Sequence, residues 1–261
     1  MARDDSISTL IDRLDVPFNA LGIDPYGISK AHLRVFVAML KFAYTKYFRV
    51  RAHGVENVPD KGRVMLVGNH SGGLPLDAGM VIASLLLDKD PPRLVHAMVD
   101  KFVNRMPILS TWYARWGQVT GLPEHAERIL NDDRVLMVFP EGHLGTAKLY
   151  PQRFSLVNFG TGFMRLALKT KSPIVPFAFI GGGDAIPTIH NSEFLGKLTA
   201  APYVPLTPYG APVPLPVRLS VHYGEPMKFE GSGNEEDQVI NGYVEQVKSR
   251  IAQLIEQGRG R

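Results

Sequence analysis

From about residue 60 onward, short apolar, β-branched runs alternate with longer stretches of helical period, and a chain patterned in this way is restricted to an α/β arrangement. Strand-length runs lie at 63–67, 94–99, 135–139, 174–180 and 217–223. Helical period is read at 77–87, 124–131 and 155–169. It is clearest in a last helix that Asn234 can cap and Gly258 can stop, with Glu235, Glu236 and Asp237 at its positive end and Lys248 and Arg250 towards its negative one. The expected fold is a single α/β domain, residues 56–261, with a mixed, largely parallel sheet covered by helices and preceded by a helical segment, residues 1–55. A chain of 261 residues with 45% hydrophobic content can bury one sizeable core. It has no cysteine, which excludes disulfides, a thiolate nucleophile and any cysteine metal site.

The charge is unevenly placed. Between Gly27 and His53 stand Lys30, Arg34, Lys41, Lys46, Arg49 and Arg51 and no acid, so the rest of the chain holds 23 bases against 25 acids. Leu33, Phe36, Val37, Leu40, Ala43, Tyr44 and Tyr47 follow helical spacing through the same stretch, with Met39, Phe42 and Phe48 widening the apolar surface. Two readings stand: a basic amphipathic helix lying at the surface of an anionic bilayer, or a core-packing helix with a solvated basic face. Nucleic acid is not expected, since no binding motif accompanies the charge. Residues 198–217 are uncharged and include six prolines, which forbid a spanning helix; this stretch reads as an apolar loop lying on a membrane, covering an acyl channel or packing on the core. No apolar run reaches ~18 residues, and the acidic start lacks a signal-peptide core.

Three strand candidates end in loops that bear chemistry: Gly68-Asn69-His70-Ser71-Gly72-Gly73, Pro140-Glu141-Gly142-His143 and Gly181-Gly182-Gly183-Asp184. Ligands of open α/β sheets bind beyond the carboxyl ends of strands, so these loops are expected to line one crevice. Asp77 follows His70 by seven positions. On a straight helix the two would stand ~10 Å apart. Gly72, Gly73 and Pro75 permit the loop to fold back. A histidine with a carboxylate on one ring nitrogen has its tautomer fixed and its basicity raised, which suits it to take a proton from a hydroxyl; taken alone, His70 reads first as a loop histidine bonded to backbone. A nucleophile elbow, a His-Glu-x-x-His helix and a Walker loop are all lacking.

Asn69-His70 with Asp77, then Phe139-Pro140-Glu141-Gly142, then Pro173-Ile174-Val175-Pro176, resemble in order and approximate spacing the glycerophospholipid acyltransferase superfamily of the lysophosphatidic acid acyltransferase type, over residues 50–230. The resemblance implies that His70 acts as general base on the hydroxyl of a glycerolipid acceptor such as a lysophospholipid or 1-acylglycerol-3-phosphate, that Asp77 orients and supports it, and that the acyl group arrives as a thioester of coenzyme A or acyl carrier protein. It implies no metal and no resident cofactor. Phe139, Pro140, Glu141 and Gly142 would shape the acceptor pocket, and membrane lipids would be the partners of a cytoplasmic, peripherally bound enzyme.

The departures from the family pattern matter as much. Six residues separate His70 from Asp77 where the family places four, and His143-Leu144-Gly145 stands where Thr-Arg-Ser is usual. Two arginines that would hold an acceptor phosphate are missing. Either Arg115, Arg128, Lys148 or Arg153 substitutes, with Lys148 and Arg153 taken as the substrate-binding candidates, or the acceptor is a neutral alcohol, diacylglycerol or a long-chain alcohol. A lipid-binding protein without activity is the alternative from another class, and a soluble thioesterase the third.

Overall fold

The computed structural model describes residues 6–99, 107–120, 122–199 and 201–260. In chain order the elements are α1 (Ile7–Asp12), α2 (Lys30–Phe42), β1 (Arg51–His53), β2 (Val64–Gly68), α3 (Leu76–Leu87), β3 (Val95–Val99), α4 (Pro107–Arg115), β4 (Val119–Thr120), α5 (Pro123–Asn131), β5 (Val135–Val138), α6 (His143–Thr146), α7 (Gly162–Thr170), β6 (Ile174–Ile180), α8 (Gly182–Ala185), β7 (His190–Ser192), α9 (Glu193–Thr199), β8 (Val204–Leu206), β9 (Ser220–Tyr223) and α10 (Asp237–Arg259). Seven strands form the main sheet in the order β1-β9-β6-β2-β5-β3-β4. From β6 to β4 every pair is parallel; β9 runs antiparallel to β6 and parallel to β1. The sheet is therefore mixed and largely parallel, as the alternation implied.

The central strands are apolar throughout because both faces are covered, and successive side chains go to opposite cores. Val64 and Leu66 of β2 pack with Val135, Met137, Val175, Phe177 and helices α2 and α3 on one face. Met65 and Val67 pack with Leu136, Ile174, Ala178 and helices α5, α7 and α10 on the other. Strand β2 lies between β5 and β6, so the loops that follow these three strands leave one edge of the sheet side by side.

Within residues 1–55, read above as a helical segment preceding the domain, the described part from residue 6 is built into the same core. Leu33, Phe36, Val37 and Leu40 of α2 are buried there with Tyr44, and β1 pairs with β9 in the main sheet. At about 1.5–3 kcal/mol for each large apolar side chain withdrawn from water, those four α2 residues favour docking by roughly 6–12 kcal/mol. The helical stripe is thus the core face, and Val35, Met39 and Phe42 form an apolar line on the outward side. Among the described residues no helix is long and apolar enough to cross a membrane.

Other boundaries moved for local reasons. The helix expected over 155–169 begins only at Gly162, because the backbone before it is engaged by side chains: the Val157 N–H donates to Glu141 and the Ser155 carbonyl accepts from Lys148. Asn234 does not cap α10. Glu235 instead accepts from the backbone N–H groups of Ser232 and Gly233, and the helix starts at Asp237. Gly258 does not end it either; it lets α10 approach the ring of His222, where a Cβ would lie 2.9 Å from Nε2.

Candidate active site

At the end of β2 the ladder is carried one rung further by a side chain. Asn69 donates from Nδ2 to the Phe179 carbonyl at 2.9 Å and accepts the Phe179 N–H at 2.7 Å on Oδ1, which fastens the start of the His70 loop to β6. The His70 N–H then donates to Glu141 Oε1 at 2.8 Å, fastening it to the loop after β5. The chain next reverses through Gly72 and Gly73, at φ +102° and +68°, conformations that L side chains rarely adopt. The reversal returns Asp77, in the first turn of α3, to the histidine that precedes it. The three loops do converge: Ser71 and Gly72 lie against Gly182, and Gly145 lies against both His70 and Glu141.

His70 Nδ1 stands 2.5 Å from Asp77 Oδ2. Asp77 is wholly buried, and its carboxylate also accepts the N–H of Ser71 on Oδ2 at 2.9 Å and that of Ala78 on Oδ1 at 2.8 Å. A carboxylate is an acceptor only, so with His70 neutral Nδ1 carries the proton and Nε2 the lone pair. Nε2 has no hydrogen-bond partner among the described residues, and the His70 side chain is 15% exposed. The Phe139 ring stacks on the imidazole, with centroids 4.1 Å apart and planes 13° from parallel. The six-residue spacing is thus absorbed by the double-glycine turn.

Glu141 is buried with both oxygens occupied. Oε1 accepts from His70 N and Oε2 from Val157 N at 2.8 Å, while Lys148 Nζ donates to the two at 3.1 and 2.9 Å. Lys148, whose side chain is 3% exposed, also donates to the Ser155 carbonyl. The pair ties together the loops after β2 and β5 and the segment leading to α7. Gly142 opens α6 at φ +55° with its N–H on the Phe139 carbonyl, and the Pro140 carbonyl accepts from Gly160 N. Arg153 forms an ion pair with Asp184 at 2.9 Å and lies over the rings of Tyr150 and Phe154. Arg115 is engaged by the Gly27 carbonyl, and Arg128 lies over Tyr26. Hence none of the four cations considered above stands unoccupied beside His70, and the side chain at the mouth of the α6 turn is the exposed Leu144.

The roles of Asn69 and Gly145 were not read from sequence. The available signals were a buried amide following an apolar strand and a glycine where the family carries a serine. The ribbon of β7 and β8 with α9, inserted between β6 and β9, was likewise not foreseen; Tyr203 within it hydrogen-bonds to Thr146 of α6, and Gly73 packs on its Pro205.

The Acyltransferase family profile matches residues 49–180, which span strands β1 to β6 and the loops after β2 and β5; the third loop, 181–184, follows at once. The chain belongs to the Acyltransferase family. An uncharacterized protein of Mycobacterium tuberculosis is 31% identical to this acyltransferase over 252 residues, covering 92% of this chain and 69% of the relative. A chicken protein described as a DGAT1/2-independent enzyme synthesizing storage lipids is 26% identical over 181 residues, 68% of this chain and 52% of that protein. The crystal structure of the 1-acyl-sn-glycerophosphate (LPA) acyltransferase PlsC from Thermotoga maritima shares the fold, with a TM-score of 0.55 and 21% identity over 86% of this chain and 82% of that one.

Proposed function

We propose that this acyltransferase moves a fatty acyl group from a thioester of coenzyme A or acyl carrier protein to a lipid hydroxyl, at the cytoplasmic surface of a membrane. The observation that carries the reading is the His70–Asp77 contact at 2.5 Å with Nε2 left to meet a substrate. Nε2 takes the proton of the acceptor hydroxyl as its oxygen attacks the thioester carbonyl. The C–S bond breaks, the departing thiolate recovers the proton from the imidazolium, and an ester and a free thiol result. Asp77 holds the reactive tautomer and stabilises the imidazolium. Glu141 and Lys148 fix the backbone of His70, while Phe139, Pro140 and Gly142 form the wall against which an acceptor rests.

The acceptor is a glycerolipid. Within that class, the engagement of Lys148 by Glu141 and of Arg153 by Asp184, with Leu144 exposed, favours an uncharged acceptor such as diacylglycerol over a lysophospholipid phosphate. The description of the chicken relative as a storage-lipid enzyme supports the same choice. The test is thiol release and ester formation with lysophospholipids, diacylglycerol and long-chain alcohols presented in vesicles. Transfer should fall about 10²–10⁴-fold in His70→Ala. Full transfer by that variant overturns the assignment of the base.

A further inference from the structure

The stretch 213–216, in the insertion between β6 and β9, is exposed yet asks almost nothing of water. Val213 is 61% and Leu215 39% exposed. Pro214 and Pro216 have no N–H, and the N–H groups of Val213 and Leu215 donate to the carbonyls of Ala211 and Ala185, both at 2.8 Å. All four carbonyls are also taken. Val213 O accepts from the Tyr209 hydroxyl at 2.9 Å, Pro214 O from the Tyr47 hydroxyl at 2.6 Å, Leu215 O from Val217 N at 2.8 Å and Pro216 O from the Arg49 guanidinium at 2.9 Å. An ordinary surface loop leaves such groups to solvent. Here the main penalty for moving irregular backbone out of water, unpaired polar groups, has been removed in advance.

Two of those bonds come from Tyr47, in the π-helical turn 43–47 that continues α2, and from Arg49 just beyond it, which ties the loop to the end of the helix whose outward line exposes Met39 and Phe42, 57% and 63%. The two segments are one-sided in charge: residues 27–53 carry six cations and no carboxylate, and residues 198–217 carry no charge, although Asp12 of α1 pairs with Lys30 at 2.6 Å. Apolar side chains rimmed by cations, over backbone that needs no water, match a bilayer interface with anionic headgroups.

We propose that residues 213–216 and the outward face of α2 form one bilayer-docking surface, in which Val213 and Leu215 enter the acyl boundary beside Met39 and Phe42 while Arg34 and Lys46 meet lipid phosphates. The purpose of this surface rests on the lipid-acyltransferase reading; its existence does not. It is also fixed to the frame of the site, since Leu40 of α2 packs on Gly79, two residues past Asp77, and the inserted ribbon packs on Gly73. Docking therefore holds the His70 crevice at a fixed position relative to the membrane.

The experiment uses the full chain with vesicles of phosphatidylcholine and phosphatidylglycerol. Val213→Trp should be quenched by brominated acyl chains, and V213D/L215D should lower vesicle partitioning about tenfold or more. M39D/F42D should have a similar effect, and raised salt should weaken what remains. Transfer by V213D/L215D to a water-dispersed short-chain alcohol should stay at the wild-type rate. Wild-type partitioning by V213D/L215D, an unquenched Trp at position 213, or a self-associated chain that ignores vesicles would each overturn the proposal. A chain that binds vesicles through these residues but transfers no acyl group would instead overturn the catalytic reading alone.

Discussion

Replacing Lys148 by methionine separates two roles that predict different measurements. In the structure the ammonium makes three bonds, two to Glu141 and one to Ser155, and is only 3% exposed. Its removal leaves a buried carboxylate with two N–H donors and no counter-charge, and breaking a buried pair from one side costs about 3–5 kcal/mol. That is a large part of the roughly 5–15 kcal/mol that holds a domain folded. At about 2–4 °C per kcal/mol for a chain of this length, the melting temperature should fall by about 6–20 °C. Activity measured well below that temperature should show a lower kcat, because Glu141 anchors the backbone N–H of His70. Removing both charges in Glu141→Leu/Lys148→Met should cost less stability than Lys148→Met alone. Circular dichroism melts and thiol-release kinetics on the three proteins give both readouts. A melting temperature unchanged within about 2 °C, with KM raised only for phosphate-bearing acceptors, would refute the brace and make Lys148 a substrate ligand.

Three further outcomes follow from the same geometry. Asp77→Asn keeps shape but has one acceptor oxygen for three donors, so kcat/KM should drop about 10²–10⁴-fold in single-turnover thiol release; activity within about threefold of wild type would count against the dyad. Gly145→Ala would put a Cβ 2.6 Å from that of His70 and 2.8 Å from that of Glu141. The collision should displace the imidazole, cutting transfer about tenfold or more and costing about 1–3 kcal/mol of stability, read by denaturant midpoint; a fully active variant would show that the loops yield freely. Burial, reinforced by the charge of Arg134, lowers the pKa of His96 from 6.5 to about 4. The unfolded chain therefore binds the extra proton first, so the stability from this group is full above pH 6.5 and is lost as pH falls towards 4, by about 3 kcal/mol in all. In urea titrations between those limits, His96→Gln should flatten the slope relative to wild type, and identical slopes would contradict the assignment.

The five strand runs, the helices α3, α5 and α10, and the candidates His70 and Asp77 were legible in the chain itself, because strand and helix periods are written in neighbouring residues and the paired Gly72-Gly73 announces a reversal. Partnership between distant groups has no such local record. Whether the apolar stripe of α2 meets lipid or protein depended on the space left beside α3, and the burial of four large side chains decided for protein. Lys148 could be named as a cation from its letter, but only the convergence of three loops at one sheet edge put Glu141 within 3.1 Å of it and so removed it from the supply of free charge. The same convergence drew the backbone of residues 155 and 157 out of the helix their pattern suggested, since bonds to buried charged groups outweigh about two turns of helical propensity.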